Sequence, residues 1–179
     1  MDSYALRVDY LPASALGLPG RLGLTRAPGR WAAGRNPDSD LRLREDVEAI
    51  ARVNGAKVLV TLLERFEIAE LGDLDGEARR ARLRWIHYPI ADMWAPTDQA
   101  TARQLVGRIL RALERGQDVV VHCWGGVGRA GTIAAACLVA RGTPPADAMA
   151  IVRAARGRAI ETAAQERFVR EFTHTPRRE

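Results

Sequence analysis

Cysteine, lysine and aromatic residues are all scarce in this sequence. Two cysteines, Cys123 and Cys137, are too few for a disulfide framework. Three scattered histidines and two distant cysteines give no metal-ligand spacing, so no metal and no other cofactor is expected. The longest apolar run, 133–140, falls far short of a membrane span of about 20 residues. The N-terminus carries an early acid, Asp2, and no long apolar core, so a signal peptide is not expected. A reducing cytoplasm is the default location, and a free thiol survives there. Aromatics are 6% of the chain and no short run has the form of a nucleic-acid motif, so neither nucleic acid nor a membrane is an expected partner.

What the chain has in excess is arginine. The net charge is +5, and Lys57 is the only lysine. A GC-rich genome produces that bias as readily as a function does. The densest basic cluster, Arg79, Arg80, Arg82 and Arg84, reads as a solvated helix end before it reads as a docking patch. The 179 residues, 47% of them apolar, suit one domain across 1–179 with a substantial core, expected as a monomer.

The first forty residues are rich in Gly and Pro and predict a strand-and-loop region. An edge strand is expected at 5–11 and a second strand within 21–31. Asp38, Ser39 and Asp40 offer N-caps for a helix that Gly55 ends. The run 57–63 (KVLVTLL) predicts a buried strand. Helical pieces follow at 67–71 and 77–82, broken at Gly72 and Gly76. Residues 83–90 predict a strand closed by Pro89. Thr97 or Asp98 caps a helix to about residue 114. The segment 118–122 (DVVVH) is a third buried strand, and helices are expected at 129–141, from Pro144-Pro145 to 155, and from Thr162 to 172. Strands that are continuously apolar and alternate with helices predict an α/β fold. Its sheet is mostly parallel, of four to five strands, with helices on both faces.

In such sheets, ligands bind at the loops after the strand carboxyl ends. The loop after the third apolar strand reads HCWGGVGRAGT. The first N–H groups of a helix have no internal acceptors, and with the loop N–H groups they form an anion-binding concavity. Trp124, Gly125, Gly126, Val127, Gly128 and Arg129 make that candidate phosphate loop, and Arg129 adds a fork matched to two phosphate oxygens. Cys123 sits at its mouth, where a field that favours phosphate also favours thiolate. A thiolate facing bound phosphate is placed for in-line attack. His122 either tunes that thiolate or orients the loop. Phosphate, sulfate or vanadate is the expected occupant.

These residues carry a resemblance. HCWGGVGR resembles the H-C-x5-R signature of the cysteine-based protein tyrosine and dual-specificity phosphatases. The likeness to the cyclin-dependent kinase inhibitor 3 family extends through Leu18-Pro19-Gly20, the 57–64 strand with Glu64, HYPIADMWAPT at 87–97 and AIETAAQERFVREF at 159–172. The resemblance implies a phosphoprotein substrate and a phosphocysteine intermediate. It places the general acid on Asp92; Asp98, six residues on, fits better as a helix N-cap. It also implies that Gln165 helps position the hydrolytic water. Arg158 is read equally as a phosphate contact and as a solvated side chain.

One residue departs from the pattern. Many relatives carry Ser or Thr after the loop arginine, where the hydroxyl donates to sulfur; here it is Ala130. Thr132 is a doubtful substitute. Cys137 reads as core, about 12 Å along the helix from Arg129. Trp94 and Trp124 read as pocket lining or packing, Trp31 and Trp85 as core or strand edge, and His87 as structural. The sequence therefore predicts a protein phosphatase acting on phosphotyrosine, with phosphoserine or phosphothreonine as further substrates. The alternatives are a phosphatase of small molecules or phosphoinositides, and a phosphoprotein-binding module with weak turnover.

Overall fold

A computed structural model describes residues 6–32 and 38–173. The elements, in chain order, begin with β1 (Asp9–Tyr10), α1 (Ala13–Leu16), β2 (Leu22–Thr25), α2 (Ser39–Glu48) and β3 (Val58–Thr61). Then come α3 (Arg65–Leu71), α4 (Leu74–Arg80), β4 (Arg84–His87), α5 (Gln99–Glu114) and β5 (Val119–His122). The chain closes with α6 (Gly128–Ala140), α7 (Pro145–Ala155) and α8 (Ala163–Glu171).

The five strands lie in the order β1-β2-β5-β3-β4. β2, β5, β3 and β4 are parallel, and only the short edge strand β1 runs antiparallel. Alternate residues of the central strands enter two separate cores. Val119, Val121, Val58 and Val60 join the side chains of α5, α6, α7 and α8, while Val120 and Leu59 meet Leu43, Val47 and Ile50 on the other face, beside Leu74 and Ala78 of α4. Burial on both faces explains why these strands read as unbroken apolar runs. The expected α/β sheet with helices on both faces is the observed fold.

Several boundaries differ from expectation. The N-terminal edge strand is only two residues long, and residue 5 of the expected 5–11 lies outside the described residues. α2 continues into a π-helical turn over Ala49–Val53 before Gly55. Gly76 does not break a helix. It sits inside α4, where its N–H donates to the Asp73 cap, and a Cβ there would collide with the Asp73 carboxylate. Glycine is thus what lets the cap close. Trp31, expected in a core or at a strand edge, is 62% exposed, because the chain leaves β2 for a short 3₁₀ turn at Arg30–Ala32. Among the described residues, no helix is long and apolar enough to cross a membrane.

Candidate active site

β5 is flanked by β2 and β3, so its carboxyl end opens at the middle of the sheet. Cys123 follows directly and is 3% exposed. The loop turns back so that the Gly126 N–H donates to Cys123 Sγ at 3.2 Å. This turn needs glycine: Gly126 has φ +71°, and a Cβ would strike the Thr25 carbonyl. Neighbouring segments brace the loop from outside. The Ala27 N–H donates to the Trp124 carbonyl (3.1 Å), the Ile160 N–H to the Val127 carbonyl (3.3 Å), and Arg156 Nη2 to the Gly125 carbonyl (2.9 Å).

Arg129, in the first turn of α6, is 1% exposed and held by a carboxylate that the sequence reading missed. Its Nη1 and Nη2 donate to Glu67 Oε2 (2.7 Å) and Oε1 (2.8 Å), and Nη1 also donates to the Ile90 carbonyl (3.0 Å). Burial works against the charge of Arg129. The hydrogen bonds to Glu67, with Cys123 and Asp92 nearby, more than offset it and hold its pKa above the ordinary arginine value. Its Nε is buried with no acceptor among the described residues. Glu67 belongs to α3, which starts after the carboxyl end of β3 with a reciprocal cap between Glu64 and Glu67. The E-x-x-E spacing straight after an apolar strand was the available signal.

Asp92 lies on the loop after β4. Its Oδ1 is 3.0 Å from Arg129 Nη2, while the side chain stays 66% exposed. Asp98, the rival acid, accepts from the Ala100 and Thr101 N–H groups as the N-cap of α5. Those backbone bonds hold its carboxyl below the ordinary aspartate range. Its role as a cap agrees with the sequence reading.

His122 is fully buried. Thr61 Oγ1 accepts from Trp85 Nε1 (2.8 Å), so its own hydrogen is free to donate to His122 Nε2 (2.7 Å). That network assigns the remaining proton to Nδ1, which donates to the Cys123 carbonyl at 3.4 Å. Burial pulls the His122 pKa down to about 4, so the ring is neutral at pH 7. A neutral ring orients the loop by hydrogen bonding and brings no charge to the sulfur.

A family model described as "Polymorphic toxin system, DSP-PTPase phosphatase" (Tc-R-P) matches residues 35–143, more than half of the chain. The chain belongs to this family. It is a cysteine-dependent protein phosphatase. Cyclin-dependent kinase inhibitor 3 of Sus scrofa is 26% identical over 174 residues, covering 93% of this chain and 78% of that protein. Kinase associated phosphatase, solved with its catalytic-site cysteine substituted by serine, superposes with a TM-score of 0.83 at 24% identity, covering 96% of both chains. Tk-PTP in its active form gives a TM-score of 0.70 at 28% identity, covering 86% of this chain and 91% of that one.

In this phosphatase the structure gathers Cys123, Arg129, Asp92 and His122 at one end of the sheet. Gln165 is near the loop as well: a Cβ on Gly128 would meet its amide. Yet that amide is buried and engaged. Its Oε1 accepts from the Glu161 N–H (2.8 Å) and the Thr162 N–H (3.3 Å), and its Nε2 donates to the Trp94 carbonyl at 3.3 Å. Thr132 donates its hydroxyl to the Gly128 carbonyl (2.8 Å), not to sulfur, so it does not replace the hydroxyl that Ala130 lacks. Cys137 is a buried free thiol whose pKa burial pushes up to about 12, which leaves it an inert core residue. His87 Nε2 meets the Leu63 carbonyl (2.8 Å) and its ring stacks on Trp85, a structural role as expected. Trp94 is 62% exposed, and Trp124 is half-buried. Arg158 is exposed with φ +63°. In the basic cluster, Arg79 pairs with Asp75 and Arg80 with Glu77, as a solvated helix end would.

Proposed function

We propose that this protein phosphatase acts on phosphotyrosine, with phosphoserine and phosphothreonine as further substrates, through a phosphocysteine on Cys123. One observation carries the reading: Arg129, with an orphaned Nε, touches Asp92 and lies close to Cys123. A phosphate seated on the loop supplies the acceptor that Nε and the first α6 N–H groups lack.

The chemistry then runs in two balanced steps. Cys123 Sγ forms a bond to phosphorus as the phosphorus–oxygen bond to the leaving group breaks, and protonated Asp92 gives its proton to the departing oxygen. Water next attacks the phosphocysteine. Its oxygen bonds phosphorus, the sulfur leaves as thiolate, and Asp92 takes the proton of the water. Arg129 and the loop amides spread the charge on the phosphoryl oxygens throughout. Asp92 is well exposed, so a substrate phosphate shares Arg129 without displacing a buried carboxylate. The free thiol fits a reducing cytoplasm, which we take as the place of action.

Hydrolysis of an aryl phosphate, inhibited by vanadate and abolished in Cys123→Ser, is the expected result. Turnover that survives in Cys123→Ser overturns the mechanism. A parent that binds phosphopeptide without turnover reassigns the chain to a binding module. Because no hydroxyl follows Arg129, breakdown of phosphocysteine is expected to limit the rate in part. Rapid mixing should then show a product burst, and Ala130→Ser should raise steady-state kcat by a few-fold, about 1 kcal/mol of one hydrogen bond. Absence of a burst removes this reading of Ala130.

A further inference from the structure

Arginines surround the phosphate loop, and most of them are neutralised. Arg26 Nη1 pairs with Asp46 (3.0 Å), Arg156 Nη1 with Asp9 (2.6 Å), and Arg129 with Glu67 and Asp92. Arg30 differs. Its guanidinium lies 5.4 Å from the ring centre of Trp31 and 5.8 Å from that of Trp124. Its one hydrogen bond is long and neutral, from Nη1 to the Trp124 carbonyl at 3.4 Å. Nη1 is 3.8 Å from where a Cβ on Gly125 would stand. Among the described residues it pairs with no carboxylate, and it is half-exposed. Two indoles therefore hold a cation beside the loop, one residue beyond the nucleophile, with its charge uncompensated.

We propose that Arg30, in cation–π contact with Trp124, is a second anion subsite of this enzyme, reading an acidic side chain next to the phosphorylated residue of a phosphopeptide. The inference rests on the protein phosphatase reading above. Trp124 follows Cys123 directly, and Arg30 Nη1 reaches its carbonyl, so the guanidinium stands beside the phosphate loop, where the proposal places the side chain next to the phosphorylated residue. A guanidinium accepts a carboxylate through two parallel hydrogen bonds. Cation–π contact with the two indoles restrains the guanidinium beforehand, which reduces the ordering entropy lost on binding. The loop itself contains no charged residue besides Arg129, so Arg30 supplies the charge beside Trp124.

The test compares two phosphopeptides that differ only at the flanking residue, Asp or Lys, and reads the ratio of their kcat/KM values. The parent should favour the Asp peptide by about fivefold or more at low salt, the worth of one charge-assisted pair. The preference should shrink as ionic strength rises. Arg30→Gln should bring the ratio close to one, Arg30→Glu should invert it, and Arg30→Lys should keep part of it. A parent without preference overturns the subsite, as does an Arg30→Gln enzyme that keeps the parent's ratio. If the Arg30 variants do not fold, the parent's own ratio and its salt dependence decide. Aryl phosphate turnover by the parent reports separately on the phosphatase reading, so the two failures are distinct.

Discussion

The phosphate loop and the acid loop lie on either side of Arg129 and are built in opposite ways. The first, 123–129, is sealed into the core: Cys123 is 3% and Arg129 1% exposed, and the segment after β2, α3 and the α7–α8 connection each contribute a bond to it. The second, 91–97, stands in solvent. Asp92 is 66% and Trp94 62% exposed, and Met93 has φ +63°. It is held by Arg129 and by two hydrogen bonds to backbone carbonyls, from Thr162 Oγ1 to Met93 and from Gln165 Nε2 to Trp94. The contrast suits two tasks. Phosphate needs donors fixed in advance, since reorganisation during the reaction raises the barrier. The acid must admit a substrate and then approach its leaving oxygen, which favours a segment with few tertiary contacts.

The sharpest way to break that comparison is Glu67→Ala. It leaves the Arg129 guanidinium buried without its bidentate partner, and loss of one member of a buried ion pair costs about 3–5 kcal/mol. Urea unfolding should show that loss, and phosphatase activity should fall with it. Asp92→Asn should behave differently. Its kcat for an aryl phosphate should drop about 10²–10⁴-fold, the usual range for general acid–base catalysis, while the urea midpoint changes little. Equal destabilisation by the two variants would mean that both loops are structural in the same degree.

Much of this division was legible in the sequence. The apolar strand, three glycines and Arg129 define the phosphate loop by local chemistry, and Asp98 read correctly as a cap because a capping residue needs only its own helix. Glu67 was not legible in the same way. It is 62 residues from Arg129, and the sequence shows it only as the second acid of an E-x-x-E cap, with nothing to tie it to Arg129. Gln165 illustrates the same limit: its position was clear, but the direction of its amide depends on Trp94, 71 residues away. The uncompensated charge of Arg30 likewise depends on which carboxylates the fold assigns to Arg26 and Arg156.

A smaller effect tests the buried side through pH. His122 has a folded pKa of about 4 against an ordinary value of 6.5, so the unfolded chain binds the proton first as pH falls. The stability derived from burying neutral His122 is complete above pH 6.5, declines between 6.5 and 4, and changes no further below 4. The shift amounts to roughly 3 kcal/mol. Urea midpoints across that window should decline in the parent and less steeply in His122→Gln. The slope is the readout, because the substitution also changes stability at neutral pH. Parallel slopes would show that His122 is not the group being titrated.

The smallest effect separates two roles for Gln165. Its Nε2 supports the acid loop, so Gln165→Ala should lower kcat by about fivefold, the worth of one hydrogen bond, and loosen the α8 cap by about 1 kcal/mol. If it acts by holding Asp92 in place, the same substitution in an Asp92→Asn background should lower kcat hardly further, since the acid it positions is already gone. If it orients the hydrolytic water independently, the two losses should multiply. A double-mutant cycle on kcat, with urea unfolding of all four proteins to account for the cap, distinguishes them. Strong coupling would make the exposed loop an extension of α8; additivity would return Gln165 to the water.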